Sequence, residues 1–167
     1  MSDPILIDTA SFTARRETRS GDIPLAELDG RISAHELLAD NSGTVHYRIS
    51  GGTDRWQRPF LDVAVTADLQ LVCQHCLQPL AYAVDDNARL VLFRDEAALD
   101  AALAEDEEAD GMVYAAEIDA LPLLEDQLLM VLPFAPRHAD CDNPRLAEIN
   151  QDQPNPFAQL AGLKAQG

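Results

Sequence analysis

The chain has 167 residues, enough for one compact domain that buries a core of its own without disulfide staples. Its 29 acidic and 12 basic residues leave a formal charge of -17, which argues against an extended cationic face that tracks nucleic-acid phosphates. The sequence contains no run near the roughly 20 apolar residues of a membrane helix, and its first residues lack an apolar signal core, so a cytoplasmic location with no membrane partner is expected.

Residues 1–20 are polar and carry Arg15, Arg16 and Arg19, which reads as a partly mobile segment or a short docking element. A single domain is expected over residues 21–142. Gly21 to Leu25 reads as a turn and a short extended piece. Ser33 and Glu36 stand at capping-box spacing, predicting a helix that carries Leu37 and Leu38 and stops at Asn41 to Gly43. Val45, Tyr47 and Ile49 alternate with polar residues as in a half-buried strand, and Gly51 to Asp54 reads as the turn that follows. Leu61, Val63, Val65, Ala67, Leu69 and Leu71 then fall on one face of a long strand, with Asp62, Thr66, Asp68 and Gln70 on the other. A second alternating run, Leu80 to Phe93, is broken near Asp85 to Asn87.

Residues 95–126 hold twelve acidic side chains and no basic one. The part over 95–116 reads as an acidic excursion, either simply solvated or presented to a basic partner. Asp119 then suits a helix N-cap, with Pro122 tolerated in the first turn. Leu121, Leu124, Leu128 and Val131 recur at helical spacing, and Pro133 and Pro136 end the helix. Residues 143–167 are rich in Pro, Asn and Gln and read as a flexible tail up to Phe157 and Leu160. The expected fold class is α+β: an antiparallel β meander, open or closed to a barrel, with two or three short helices packed on it.

The chemistry concentrates in the cysteines. Cys73-Gln74-His75-Cys76 follows the best strand, and its two-residue gap lets both sulfurs aim at one point, as in half of a tetrahedral zinc site. His138-Ala139-Asp140-Cys141 repeats that gap after the last helix. Together they make a candidate Cys3His set of Cys73, Cys76, His138 and Cys141, closed to a catalytic water and therefore structural. Buried thiols without metal and a redox pair at Cys73 and Cys76 remain alternatives at this level. The redox reading lacks the helix N-terminus that lowers a thiol pKa in dithiol oxidoreductases. Trp56 and Phe60 flank Arg58, a combination that serves either base stacking or hairpin packing.

The run Leu71 to Pro79, with its Cys-x-x-Cys-Leu-x-Pro core, resembles the central motif of the YceD family of large ribosomal RNA subunit accumulation proteins. Gly21 to Leu25, the helix over Glu125 to Pro133 and Pro136 to Cys141 are similar to the rest of its pattern, so the resemblance covers roughly residues 15–145. It implies a role in synthesis, processing or stability of large-subunit ribosomal RNA. The family often carries Arg where this chain has His75, which weakens any grip of the turn on phosphate.

The expected function is a noncatalytic ribosome-biogenesis factor whose acidic body binds a basic ribosomal or assembly protein. Contact with ribosomal RNA would be indirect, or local through Arg15, Arg16, Arg19, Arg58 or His75. The alternatives are a metal-dependent RNA-processing enzyme and a redox sensor built on the Cys-x-x-Cys pair.

Overall fold

The computed structural model describes residues 3–105 and 110–141. In chain order these form β1 (Leu6–Asp8), α1 (Thr9–Ala14), β2 (Thr18–Pro24), a single 3-10 turn, α2 (Gly30–Ser33), β3 (Thr44–Thr53), β4 (Pro59–Val72), β5 (Pro79–Phe93), α3 (Glu96–Glu105), β6 (Gly111–Val113), β7 (Glu117–Asp119) and α4 (Leu121–Val131). The expected tail over 143–167, with Phe157 and Leu160, lies outside the described residues.

The alternation in β4 organises everything else. Its inward residues Leu61, Val63, Val65, Ala67, Leu69 and Leu71 are buried, because successive side chains of a strand point to opposite faces. β3 and β5 flank β4 in antiparallel register, β2 adds to β3, and β6 joins β5 in parallel after the α3 crossover. The fold is thus α+β around a mostly antiparallel five-stranded sheet. The sheet is open: β2 and β6 are its edges and do not pair with each other, so it is not a barrel.

A second sheet of two strands pairs β1 with β7. Within residues 3–20, Ile5, Ile7 and Phe12 are buried in the main core. These three apolar side chains lie among polar ones, so their contribution is visible only once β7 supplies a partner. Phe12 sits where a Cβ on Gly51 would be, with its ring 2.7 Å and its carbonyl oxygen 2.8 Å away, so only glycine lets α1 lie on β3. Gly51 and Gly52 are accordingly strand residues, and the turn falls at Asp54 to Arg58. Asp54 Oδ1 organises it by accepting from the backbone N–H of Trp56 at 2.8 Å and of Arg58 at 2.9 Å.

The helix expected from Ser33 and Glu36 begins earlier. Asp29 caps α2 by accepting from Arg31 N–H at 2.8 Å, and the helix ends at Ser33. His35 Nδ1 then accepts from Leu37 N–H at 3.2 Å, turning the chain so that Leu38 bridges to Leu71. β5 runs unbroken through Asp85 to Asn87, which pair with Thr66, Val65 and Ala64, and Gln127 of α4 donates to the Asp86 carboxylate. In α4, Leu124 and Leu128 are buried against the sheet as their spacing requires. The N-cap of α4 is Ala120 and not the expected Asp119, which ends β7; from there Asp119 Oδ1 accepts from Leu121 N–H at 3.0 Å. Glu125, on the same helix, is buried and accepts from Asp29 N–H at 2.9 Å, joining α4 to α2.

The opposite face of the main sheet is polar, with Arg48, Ser50, Asp62, Thr66 and Asp85 pointing away from the core. α3 is wholly free of buried residues and carries Glu96, Asp100 and Glu105 into solvent. Among the described residues no helix is long and apolar enough to cross a membrane.

Candidate metal centre

β4 and β5 are joined by residues 73–78. The N–H of Cys73 donates to Gln78 O at 2.9 Å and the N–H of Leu77 to Cys73 O at 2.9 Å, which curls the two cysteines toward one side. Leu77 pays for this curl with a left-handed φ of 61°, a conformation costly to a residue with a Cβ. The second half of the site follows α4. Leu132 leaves the helix in an extended conformation, Pro133 prevents its continuation, and Pro136 O accepts from Gln74 N–H at 2.8 Å. That bond sets the segment after α4 against the hairpin tip.

The result is convergence. One ligand atom each from Cys73, Cys76, His138 and Cys141 lies within 4.8 Å of every other. Cys73 Sγ is 3.6 Å from Cys141 Sγ, and Cys76 Sγ is 3.5 Å from His138 Nδ1. Zinc holds thiolates at about 2.3 Å and imidazole nitrogen at about 2.0–2.1 Å, so a tetrahedral ion spaces two sulfurs by about 3.8 Å and a sulfur and nitrogen by about 3.5 Å. The donor set fits such an ion. All three cysteines are free thiols.

The outer contacts prepare the ligands. His138 Nε2 lies 3.1 Å from Pro79 O; a carbonyl only accepts, so Nε2 carries the proton and Nδ1 turns its lone pair toward the sulfurs. His75 folds back over the turn, its Nδ1 3.2 Å from Cys141 Sγ. The thiols are unequal. Burial opposes ionisation of Cys73, yet hydrogen bonding from the Cys76, His138 and His75 backbone outweighs it and lowers the thiol to about 5. Burial, reinforced by the neighbouring Cys76 and Cys73 sulfurs, pushes Cys141 up to about 12. Three sulfurs this close cannot all ionise without a cation between them, and a divalent ion removes that repulsion. A thiolate at Cys73 is also what a redox centre uses, but Cys73 is fully buried, where an attacking partner has no access. The turn, moreover, leads into a strand rather than a helix.

The other residues singled out from sequence are not drawn into this site, apart from His75. Arg58 lies at the far end of β4, a strand of 14 residues and so roughly 40 Å long. Arg58 Nε is held by Asp54 Oδ2 at 2.7 Å. Arg15 pairs with Glu17 at 3.7 Å, and Arg19 Nη1 donates to Leu6 O at 2.7 Å. Arg16 occupies the left-handed position just after α1, with φ 53°. Pattern reading singled out, through their repeated gap, the four side chains that converge here. It missed Pro79 O and the link from Gln74 to Pro136, because backbone groups leave no mark in side-chain identity.

No solved structure matches the chain. Residues 61–164, more than half of it, match the family model described as large ribosomal RNA subunit accumulation protein YceD. The matched span contains both halves of the cysteine and histidine cluster, begins later than the resemblance over residues 15–145 and extends further toward the C-terminus. The chain belongs to the YceD family of large ribosomal RNA subunit accumulation proteins, and with that membership goes a role in accumulation of this RNA.

Proposed function

We propose that this protein is a noncatalytic factor in large-subunit ribosome biogenesis, stapled by a structural zinc and acting through a basic protein partner. The observation that carries the reading is the closed donor set of Cys73, Cys76, His138 and Cys141. A bound zinc would supply a folding clasp and charge compensation for the thiolates. Three thiolates and one imidazole fill four coordination positions, so no position remains for a catalytic water. The acidic surface supports the partner assignment: residues 95–126 carry twelve acidic side chains and no basic one, and α3 within them is exposed.

Elemental analysis of the purified protein tests the clasp, with one zinc per chain expected and abolished by Cys76→Ser. Capture of partners from lysate tests the rest. Basic ribosomal or assembly proteins retained after ribonuclease treatment support the reading, whereas turnover of precursor RNA by the zinc-loaded protein overturns it in favour of an enzyme. The low pKa of Cys73 favours one second reading, a redox sensor. Quantitative formation of a Cys73–Cys76 disulfide under mild oxidant is its signature, and three titratable thiols persisting in the metal-free protein remove it.

A further inference from the structure

The end of the sheet opposite the cysteine turn concentrates arginine and aromatic side chains on an otherwise anionic body. The β3–β4 turn presents Trp56, 59% exposed, on a frame held by the Asp54 carboxylate. The guanidinium of Arg55 lies 3.8 Å and that of Arg58 4.5 Å from the centre of its ring. Beside the turn, a groove of about 520 Å3 is lined by Pro59, Phe93 and Tyr114, by Ala98, Ala101 and Ala102 of α3, and by Arg58 and Arg94. Arg89 covers the Phe60 ring at 4.0 Å and pairs with Asp62. Among the described residues Arg55 and Arg94 make no ion pair.

We propose that this end is a binding site for a short stretch of single-stranded RNA. Bases would stack on Trp56 and its guanidinium neighbours and enter the groove, and phosphates would meet Arg55 and Arg94, with Arg58 beside them. The assignment rests on the biogenesis reading only for the type of nucleic acid; the arginine and aromatic chemistry is independent of it. Flat apolar walls interleaved with guanidinium planes suit splayed bases, whereas in an A-form duplex the base faces are stacked away. The overall charge of -17, with Asp95 and Glu105 also lining the groove, limits the phosphate contacts to a few. Stacking must therefore carry the affinity. With two or three phosphates engaged, log affinity should fall with log salt at a slope of only about -1.4 to -2.

Trp56 is the only tryptophan in the chain, so its fluorescence reports on this site alone. The full-length zinc-loaded protein is titrated with single-stranded oligouridylate and oligoadenylate of about 8 nucleotides, with duplex RNA of equal length, and with a glutamate-rich peptide. Saturable quenching by the single strands, a shallow salt slope and little response to duplex are expected. The Arg55→Ala/Arg94→Ala double variant should bind at least about tenfold more weakly with an unchanged thermal melt. Absence of quenching by single strands up to about 100 µM, equal quenching by duplex, or quenching by the acidic peptide alone overturns the proposal. Failure here leaves protein capture by the double variant intact. Failure of the biogenesis reading shows instead as loss of partner capture with RNA quenching retained, so the two are told apart.

Discussion

Replacing Cys76 with Ser removes one of four donors and leaves the surrounding backbone able to fold, which isolates what the clasp contributes. The hairpin tip and the segment after α4 are joined by Gln74 N–H to Pro136 O, His138 Nε2–H to Pro79 O, the His138 backbone N–H to Cys73 Sγ, and His75 Nδ1 to Cys141 Sγ. Each contributes about 1 kcal/mol net. Holding the six residues Pro136 to Cys141 in place costs about 1 kcal/mol of backbone entropy per residue. Without an ion the docked state is therefore disfavoured by about 2 kcal/mol, and roughly a few molecules in a hundred hold it. The Gln74 amide reads this directly, because its acceptor belongs to the segment that leaves. Hydrogen exchange measured by NMR should show Gln74 protected in the zinc-loaded protein and almost unprotected in Cys76→Ser or after chelation. The amides of central β4, such as Val65, should stay protected in all three. The melting temperature should fall by about 4–8 °C, and a chelator should lower that of Cys76→Ser no further. Gln74 that stays protected in the metal-free protein would refute the reasoning, since the two segments would then hold together without an ion.

Glu125→Ala leaves the Asp29 N–H without its acceptor inside the α2–α4 contact and should cost about 1–3 kcal/mol in urea denaturation, while Glu125→Gln, which keeps an acceptor oxygen, should cost less. Gly51→Ala forces a methyl into the Phe12 ring and carbonyl and should lower stability by about 1–3 kcal/mol in urea denaturation, a loss that shortening Phe12 does not restore because its backbone also clashes. Burial opposes the charge on Asp54, but hydrogen bonds from the Arg58 and Trp56 backbone and the Arg58 side chain outweigh it and hold the carboxyl below its ordinary range. Its folded pKa is depressed, so the stabilisation is full above the unfolded value of about 3.9 and is lost as pH falls through the lower folded value. Asp54→Asn should therefore reduce stability at neutral pH and flatten the acid limb of the stability–pH curve. Leu77→Gly should relieve the left-handed strain at the cysteine turn and match or raise the melting temperature without changing zinc content.

Local periodicity determined the parts of this protein that depend on neighbours in sequence. Leu61 to Leu71 could lie on one face only as a strand, because side chains alternate every residue, and Leu124 and Leu128 shared a face only on a helix. The paired two-residue gaps likewise named the four donors. The tertiary structure decided what depends on contacts between distant segments. Cys76 and His138 are 62 residues apart and meet because the hairpin tip accepts the chain leaving α4, a register that no local pattern encodes. Ile5 and Ile7 are core residues because β7 pairs with β1 across more than a hundred residues. Short elements such as α2 and β1 were illegible for the same reason: few intrinsic hydrogen bonds hold them, and tertiary packing sets their limits.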